Sequence, residues 1–430
     1  MALVFWLACA FVAYVYLGYP LLLHVIARVR PKRVSAQPEL LPSVSFVIAG
    51  RNEGRRIEGR VENIEQLDYP AGKRQIILVS DGSTDNTHAV FEKLWEQERA
   101  ICLELPEGGK ARALNAGVTH ATGDVVVFAD MRQGFAPDAL KALVAPFRDP
   151  RVGAVSGELV LDGESRDRRE DEDRRADDDR RVVDDRRRVV RAVPGKRKGQ
   201  RRWMLRRTIL DSTITEGVGL YWRYEKQIRR DESAAGSLVG ATGAIYALRR
   251  SLWQPLPPDT ILDDVLTPMR AVMSGYRVVF EERACAFDRT ASDSTAEGRR
   301  KLRTLAGNYQ LLYLEPRLLL PWKNPAWLQF MSHKIGRLLV PYALPVLLGL
   351  SFILALRSPF FAAAFAAQCA FYLLAAYGAW LERSKTMPAA VVIPFHPLNR
   401  LARVALMFTV MNKAAVAGLV ALATRQKVWR

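Results

Sequence analysis

Cysteine and histidine are scarce in this chain, and each scarcity removes a class of chemistry. The four cysteines of the 430 residues, Cys9, Cys102, Cys285 and Cys369, are scattered, and two of them lie in apolar spans. No paired spacing suggests zinc, and nothing suggests a disulfide framework. The five histidines are equally dispersed. A lone His such as His88 or His120 reads as a surface or packing residue rather than a ligand. The chain also lacks any nucleic-acid recognition motif, so its net charge of +18 does not by itself indicate DNA or RNA. Basic residues beside membrane spans meet anionic headgroups instead.

Charge itself is missing from residues 2–27, which contain no Asp, Glu, Lys or Arg. That run is long enough to cross the roughly 30 Å hydrocarbon core of a bilayer. It has neither the short apolar core nor the small-residue cleavage site of a signal peptide, so residues 1–30 read as a retained transmembrane helix. Arg28, Arg30, Lys32 and Arg33 follow at once. Positive charge stays on the cytosolic side, which directs the chain into the cytosol. A linker with Pro31, Pro38 and Pro42 fills 31–43.

From residue 44 the pattern changes. VSFVIA (44–49), QIILVS (75–80), ICLEL (101–105), DVVVFAD (124–130) and VGAVSGELVL (152–161) read as strands. THAVFEKLWEQER (87–99) and KARALNAGVTHA (110–121) between them read as helices. Continuous apolar strands alternating with helices predict an α/β domain over 44–320, built on a mostly parallel sheet covered on both faces. Ligands of such sheets bind beyond the strand C-termini. Residues 162–202 interrupt the pattern with a run that has no aromatic residue. It cannot bury enough apolar surface to offset the entropy of ordering, so it reads as a solvated disordered insertion, with a self-paired charged helix as the alternative.

The C-terminal third is membrane-like. Residues 321–337 mix Trp, Lys and apolar side chains, as an interfacial helix does. Residues 338–424 hold two or three spans, about 338–356, 360–381 and, less clearly, 402–424. Lys413 sits in the middle of the last one, where a cation is costly unless it faces protein or water. The basic tail 425–430 prefers the cytosol, yet a simple count of four spans would place it outside.

Four strand-end motifs carry the chemistry: IAGRNE (48–53), VSDGSTDNT (79–87), GGKARALNAG (108–117) and VVVFADMRQG (125–134). Asp81 can accept hydrogen bonds from a base or ribose, and Thr84 or Asp85 can cap the following helix. Glycines beside Lys110 at a helix start suit phosphate, through backbone N–H groups and a point charge. Asp130 ends a buried strand, but the position two residues on, where metal-binding strand ends often carry a second acid, is Arg132.

In combination, order and spacing resemble glycosyltransferase family 2 with its GT-A fold. The likeness is greatest to the membrane-embedded branch that includes cellulose, hyaluronan and nodulation-type chitin-oligomer synthases. The resemblance covers about 44–310 without the charged insertion. It implies a nucleotide-sugar site in which Arg51 and Glu53 lie near the nucleotide and Asp81 contacts the uridine. Lys110 and Asn115 match the motif GGKxxALN, and Asp130 matches the first acid of DxD and so holds Mg2+ or Mn2+. Gly243 of GATGAIYALRR (240–250) matches the acceptor loop. Asp264 of TILDDVLTPMR (260–270) takes the place of the catalytic base, with Asp263 in place of the usual Glu.

The departures are specific. Where processive synthases carry Gln-x-x-Arg-Trp, this chain has Arg300, Arg303 and Thr304. The lost Trp puts processive polymerisation in doubt, while the basic cluster still suits a diphosphate. Because Mg2+ keeps several waters, Asp130 alone can suffice for the metal, with Arg132 touching the phosphates. The resemblance thus implies a multi-pass inner- or plasma-membrane transferase with a cytosolic catalytic domain. It would move a sugar from a nucleotide donor, read as a UDP-sugar, to a saccharide or lipid-linked acceptor. A polyprenyl-phosphate glycosyltransferase and a non-catalytic membrane scaffold are the other readings.

Overall fold

The computed structural model describes residues 1–34, 41–161, 223–288, 294–384 and 397–424. The charged insertion and the basic tail lie outside the described residues. Eight strands form one sheet: β1 (Val44–Gly50), β2 (Arg74–Asp81), β3 (Ile101–Leu105), β4 (Val125–Ala129), β5 (Gly134–Phe135), β6 (Val152–Leu161), β7 (Ile245–Arg249) and β8 (Arg277–Asp288). Their spatial order is β3-β2-β1-β4-β7-β6-β8-β5. The first half, β3 to β4, is parallel throughout. The second half is mixed: β7 runs antiparallel to β4 and β6, and β5 antiparallel to β8. The sheet is thus parallel in its N-terminal half and mixed beyond it, where β6 and β8 are again parallel. A strand's apolar pattern records that both faces are covered, not which way its neighbour runs.

Alternate residues of the central strands feed two cores. Val47, Val79, Phe128 and Tyr246 point into one, against Leu114 and Val118. Phe46, Ile48, Leu78 and Val127 point into the other, against Ile57, Ile64 and Leu94. This alternation is the period of two that a strand imposes. Helix α2 (Gly54–Glu65) and α3 (Thr87–Glu96) pack on the second face, and α4 (Lys110–Thr119) on the first.

The first core continues into the C-terminal helices. It includes Ala306 and Leu311 of α8 (Ser294–Leu314), Phe330, Ile335 and Leu338 of α9 (Trp327–Ala355), and Ala415 of α11 (Pro397–Ala423). Helix α1 (Ala2–Val29) and α10 (Pro359–Ser384) complete the set, with α5 (Ala139–Val144), α6 (223–235) and α7 (Asp263–Met273) in the domain. Four of these helices are long and apolar enough to cross a membrane. The segment read as an interfacial helix followed by a span is one helix, α9, with a π-helical segment at Phe330–Ile335. Lys334 and Arg337 interrupt its apolar pattern, but the helix tolerates them because their charges face protein.

A proline shapes the junction between α1 and the domain. Pro20 in α1 cannot donate to the carbonyl of Tyr16, and a π-helical segment at Tyr14–Gly18 precedes it. Tyr224 Oη of α6 donates to that freed carbonyl at 2.8 Å, which ties the domain to α1.

Candidate functional site

The site lies at the C-terminal ends of β1, β2 and β4. After β1 the chain turns sharply at Asn52, whose φ of 56° is left-handed. Its side chain holds the neighbouring loop: Oδ1 accepts the Thr84 N–H at 2.8 Å, and its own N–H donates to Ser83 Oγ at 3.0 Å. Asp85 closes the joint, accepting from Gly54 N at 3.1 Å and from Thr87 N at 3.1 Å at the start of α3. Arg51 and Glu53 flank this turn. Arg51 pairs with Glu107 at 2.6 Å, and Glu53 with Arg56 at 2.5 Å. Glu53 lines a small hollow with Gly50, Ile57, Ser80, Phe91 and Met131.

Asp81 ends β2 and organises the next motif. Its carboxylate accepts the N–H of Gly108 at 2.7 Å and of Gly109 at 2.9 Å. Gly109 opens α4 with a φ of 87°, a conformation an L-residue side chain resists. The loop therefore delivers Lys110 to the centre of the site. Its Nζ sits 3.3 Å from Asp130 Oδ1 and 3.2 Å from Asp263 Oδ1. One ammonium thus joins the acid at the end of β4 to the acid pair at the start of α7. Burial alone would lower the Lys110 pKa, but Asp263, Asp130 and Asp264 outweigh it and hold it above the usual range. Asp130 goes the other way. Burial would raise it, and Lys110, Arg132 and Arg303 together pull it below its usual value.

Asp263 is 4% exposed. Tyr246 Oη, its other partner, donates at 3.3 Å. Burial, then the negative charge of Asp263, raise the Tyr246 pKa, so its proton stays in place. Asp264 beside it is half-buried. Burial first and Asp263 second raise its carboxyl to about 6, against Lys110 and Lys334. An acid pair in a first helical turn is favoured by the macrodipole. Pro268 adds a second feature: it cannot donate to the Asp264 carbonyl four residues back. Ala241 N takes that carbonyl at 2.7 Å, which fixes the 240–244 loop against the base candidate. Gly243 lies in this loop, where a Cβ would come within 3.1 Å of Asp264 Oδ2.

The structure gives Asn115 and Arg132 protein partners. Asn115 uses both ends of its amide on the Leu256 backbone, Nδ2 donating to O at 2.9 Å and Oδ1 accepting from N at 2.8 Å. Arg132 pairs with Asp288 of β8 at 3.1 Å. Gln133 donates to the same carboxylate at 3.0 Å. Arg303 is exposed, and its charge reaches Asp130 and Lys110. The side chain of Arg300 lies outside the described residues. Sequence reasoning missed Asp288 and Tyr246, because only the sheet brings β7 beside β4 and the end of β8 beside β5, next to Arg132 and Gln133. It also missed Arg60 of α2, which is 3% exposed, stacks on Phe135 at 3.9 Å and donates to Gln133 O at 2.7 Å. Pro268, four residues past Asp264, was a legible signal for the Ala241 contact.

Among the described residues no group of three or more His, Cys, Asp or Glu gathers as a metal site. Asp130 offers one carboxylate, 37% exposed. That suits an ion that takes the rest of its shell from phosphate oxygens and water.

Residues 45–231 match the family profile described as Glycosyl transferase family 2. That stretch of the chain is similar to glycosyltransferase family 2. Over 128 residues, 29% of this chain, it is 35% identical to the poly-beta-1,6-N-acetyl-D-glucosamine synthase of Staphylococcus aureus, covering 31% of that protein. Over 128 residues it is 30% identical to the beta-monoglucosyldiacylglycerol synthase of Synechocystis sp., covering 27% of it. The aligned part thus spans less than a third of these curated relatives. A solved mannosyltransferase from Pyrobaculum calidifontis, in complex with GDP-Man and Mn2+, shares the fold with a TM-score of 0.62. The match covers 98% of this chain and 99% of that one at 22% identity. The described chain is thus a GT-A-like sheet with candidate membrane helices before and after it.

Proposed function

We propose that the protein is a membrane-bound, inverting glycosyltransferase that moves a sugar from a nucleotide-diphosphate donor, UDP-linked, to a lipid-linked or polysaccharide acceptor. The observation that carries this reading is the position of Lys110 between Asp130 and Asp263, with Asp264 next in the chain. It sets a diphosphate-facing cation and a base candidate side by side. The names of the two relatives, one a polysaccharide synthase and one a glycolipid synthase, support this acceptor range.

Asp264 takes the proton of the acceptor hydroxyl. That oxygen attacks the anomeric carbon on the face opposite the diphosphate, and the bond from that carbon to the diphosphate breaks as the nucleoside diphosphate leaves. A pKa of about 6 keeps Asp264 ionised yet basic near neutral pH. Lys110 faces the negative charge that develops on the leaving group, and Arg303 adds to the positive field. Asp130 would hold Mg2+ or Mn2+, which supplies Lewis-acid stabilisation of the diphosphate when bound. Arg132 could reach a phosphate by exchanging Asp288 for it. The four apolar helices and the basic run after α1 support a multi-pass protein with its domain in the cytosol.

The test is donor turnover. Detergent-solubilised full-length protein is given Mg2+ or Mn2+ and a panel of UDP-, GDP- and dTDP-sugars, with Asp264→Asn and an EDTA-treated sample alongside. Nucleotide release from one UDP-sugar, lost in both controls, is the expected result. Silence across the panel, with no nucleotide binding, would overturn the reading in favour of a scaffold.

A further inference from the structure

Helix α2 clamps the segment that leaves β4. Arg60 and Asn63 lie three residues apart, on one face of the helix. Asn63 takes both backbone groups of Phe135 in β5, Oδ1 accepting from N at 2.8 Å and Nδ2 donating to O at 3.1 Å. Arg60 takes the carbonyl of Gln133, with Nη1 donating to it at 2.7 Å and to Asn63 Oδ1 at 3.0 Å. Its guanidinium lies over the Phe135 ring, 3.9 Å from the centroid. On the same segment, the side chains of Arg132 and Gln133 share one oxygen of Asp288, at 3.1 Å and 3.0 Å. The stretch 130–133 that joins β4 to β5 is therefore held at its far end through backbone and side chains, and Asp130 stands at its start.

Stability does not account for Arg60. The side chain is 3% exposed, and its only acceptors among the described residues are a carbonyl and an amide oxygen. Its Nε and Nη2 have no partner there, and neither has Gln133 Oε1. A buried guanidinium with two idle donors costs free energy that an apolar side chain of similar volume does not. Burial drives its pKa down to about 9, and the charge of Asp130 opposes that fall. Arg60 therefore stays a cation near neutral pH, favoured by the carboxylate read as the metal ligand.

We propose that Arg60 is a positioning residue for the diphosphate end of the site: by holding the Gln133 carbonyl it fixes the backbone from Asp130 to Gln133, so that the Asp130 carboxylate and the Arg132 guanidinium are set toward one diphosphate. This rests on the reading of Asp130 as the carboxylate that would hold Mg2+ or Mn2+. Arg60 touches neither metal nor donor and acts through the segment it holds. Where an ion takes a single protein carboxylate, the aim of that carboxylate decides how well the ion is held.

Metal uptake and melting test this without turnover. Full-length protein in detergent is given UDP and titrated with Mn2+, and free Mn2+ is read by electron paramagnetic resonance. Thermal unfolding of the same samples is followed by tryptophan fluorescence. Arg60→Met should weaken Mn2+ uptake by at least about tenfold. It should melt within about 3 °C of the wild type, because the hydrogen bonds lost are offset by a charge no longer buried. Arg60→Lys keeps a cation able to donate to the Gln133 carbonyl, and should bring uptake back to within about threefold of the wild type. Arg60→Met that takes up Mn2+ like the wild type would overturn the positioning role. A loss of uptake that Arg60→Lys does not reverse would overturn it as well. Wild-type protein that takes up no Mn2+ with UDP would overturn the metal reading of Asp130 and this role together, which sets that failure apart from one seen only in the variants.

Discussion

Replacing Lys110 by methionine removes the one ammonium that Asp130 and Asp263 share. The Lys110–Asp263 distance is 3.2 Å. At an effective dielectric of about 20 that contact is an attraction of about 5 kcal/mol. Lys110 keeps 32% of its side chain exposed, against 6% for Asp263. Solvent therefore screens part of the attraction, and a loss of about 3 kcal/mol is the expected cost of stranding a buried carboxylate. In apparent melting temperature this is a fall of roughly 6–12 °C. Lys110→Met combined with Asp263→Asn should recover most of it, because the stranded charge is gone. The assay is thermal unfolding of the detergent-solubilised protein followed by tryptophan fluorescence, which does not depend on activity. A single variant that melts within a degree or two of the wild type, or a double variant whose loss is the sum of the two singles, would refute the bridge.

Two further outcomes follow from the geometry. Asp264 is inactive as a base when protonated, so nucleotide release should rise about tenfold per pH unit below its pKa and level off above about 6. A rate-against-pH profile that is flat from 4.5 to 8 would remove Asp264 from the base role. Asn115→Ala should cost about 2 kcal/mol of stability through the unpaired Leu256 backbone, with donor KM within about twofold of wild type. A donor KM raised tenfold in a protein of unchanged melting temperature would return Asn115 to the nucleotide.

The sequence by itself determined the alternation of strands and helices, the strand ends where chemistry gathers, and the apolar helices. Each is a local property, readable from periodicity and from residues that punctuate a chain. Lys110 at the start of α4 was legible for the same reason, whereas Asp81, expected on a base or ribose, meets Gly108 and Gly109 only through the fold. The tertiary structure alone decided which way β7 runs, which acids share Lys110, and that Arg132 and Gln133 meet Asp288. Asn115 shows the limit most plainly. Its motif reads as part of a nucleotide site, but an amide bonds to whatever backbone the fold brings near, and here that is Leu256. Lys334 shows the converse. In the sequence it is a basic residue at the edge of an apolar run. Only the π-helical segment of α9 and its packing on α6 bring that charge within electrostatic reach of Asp264.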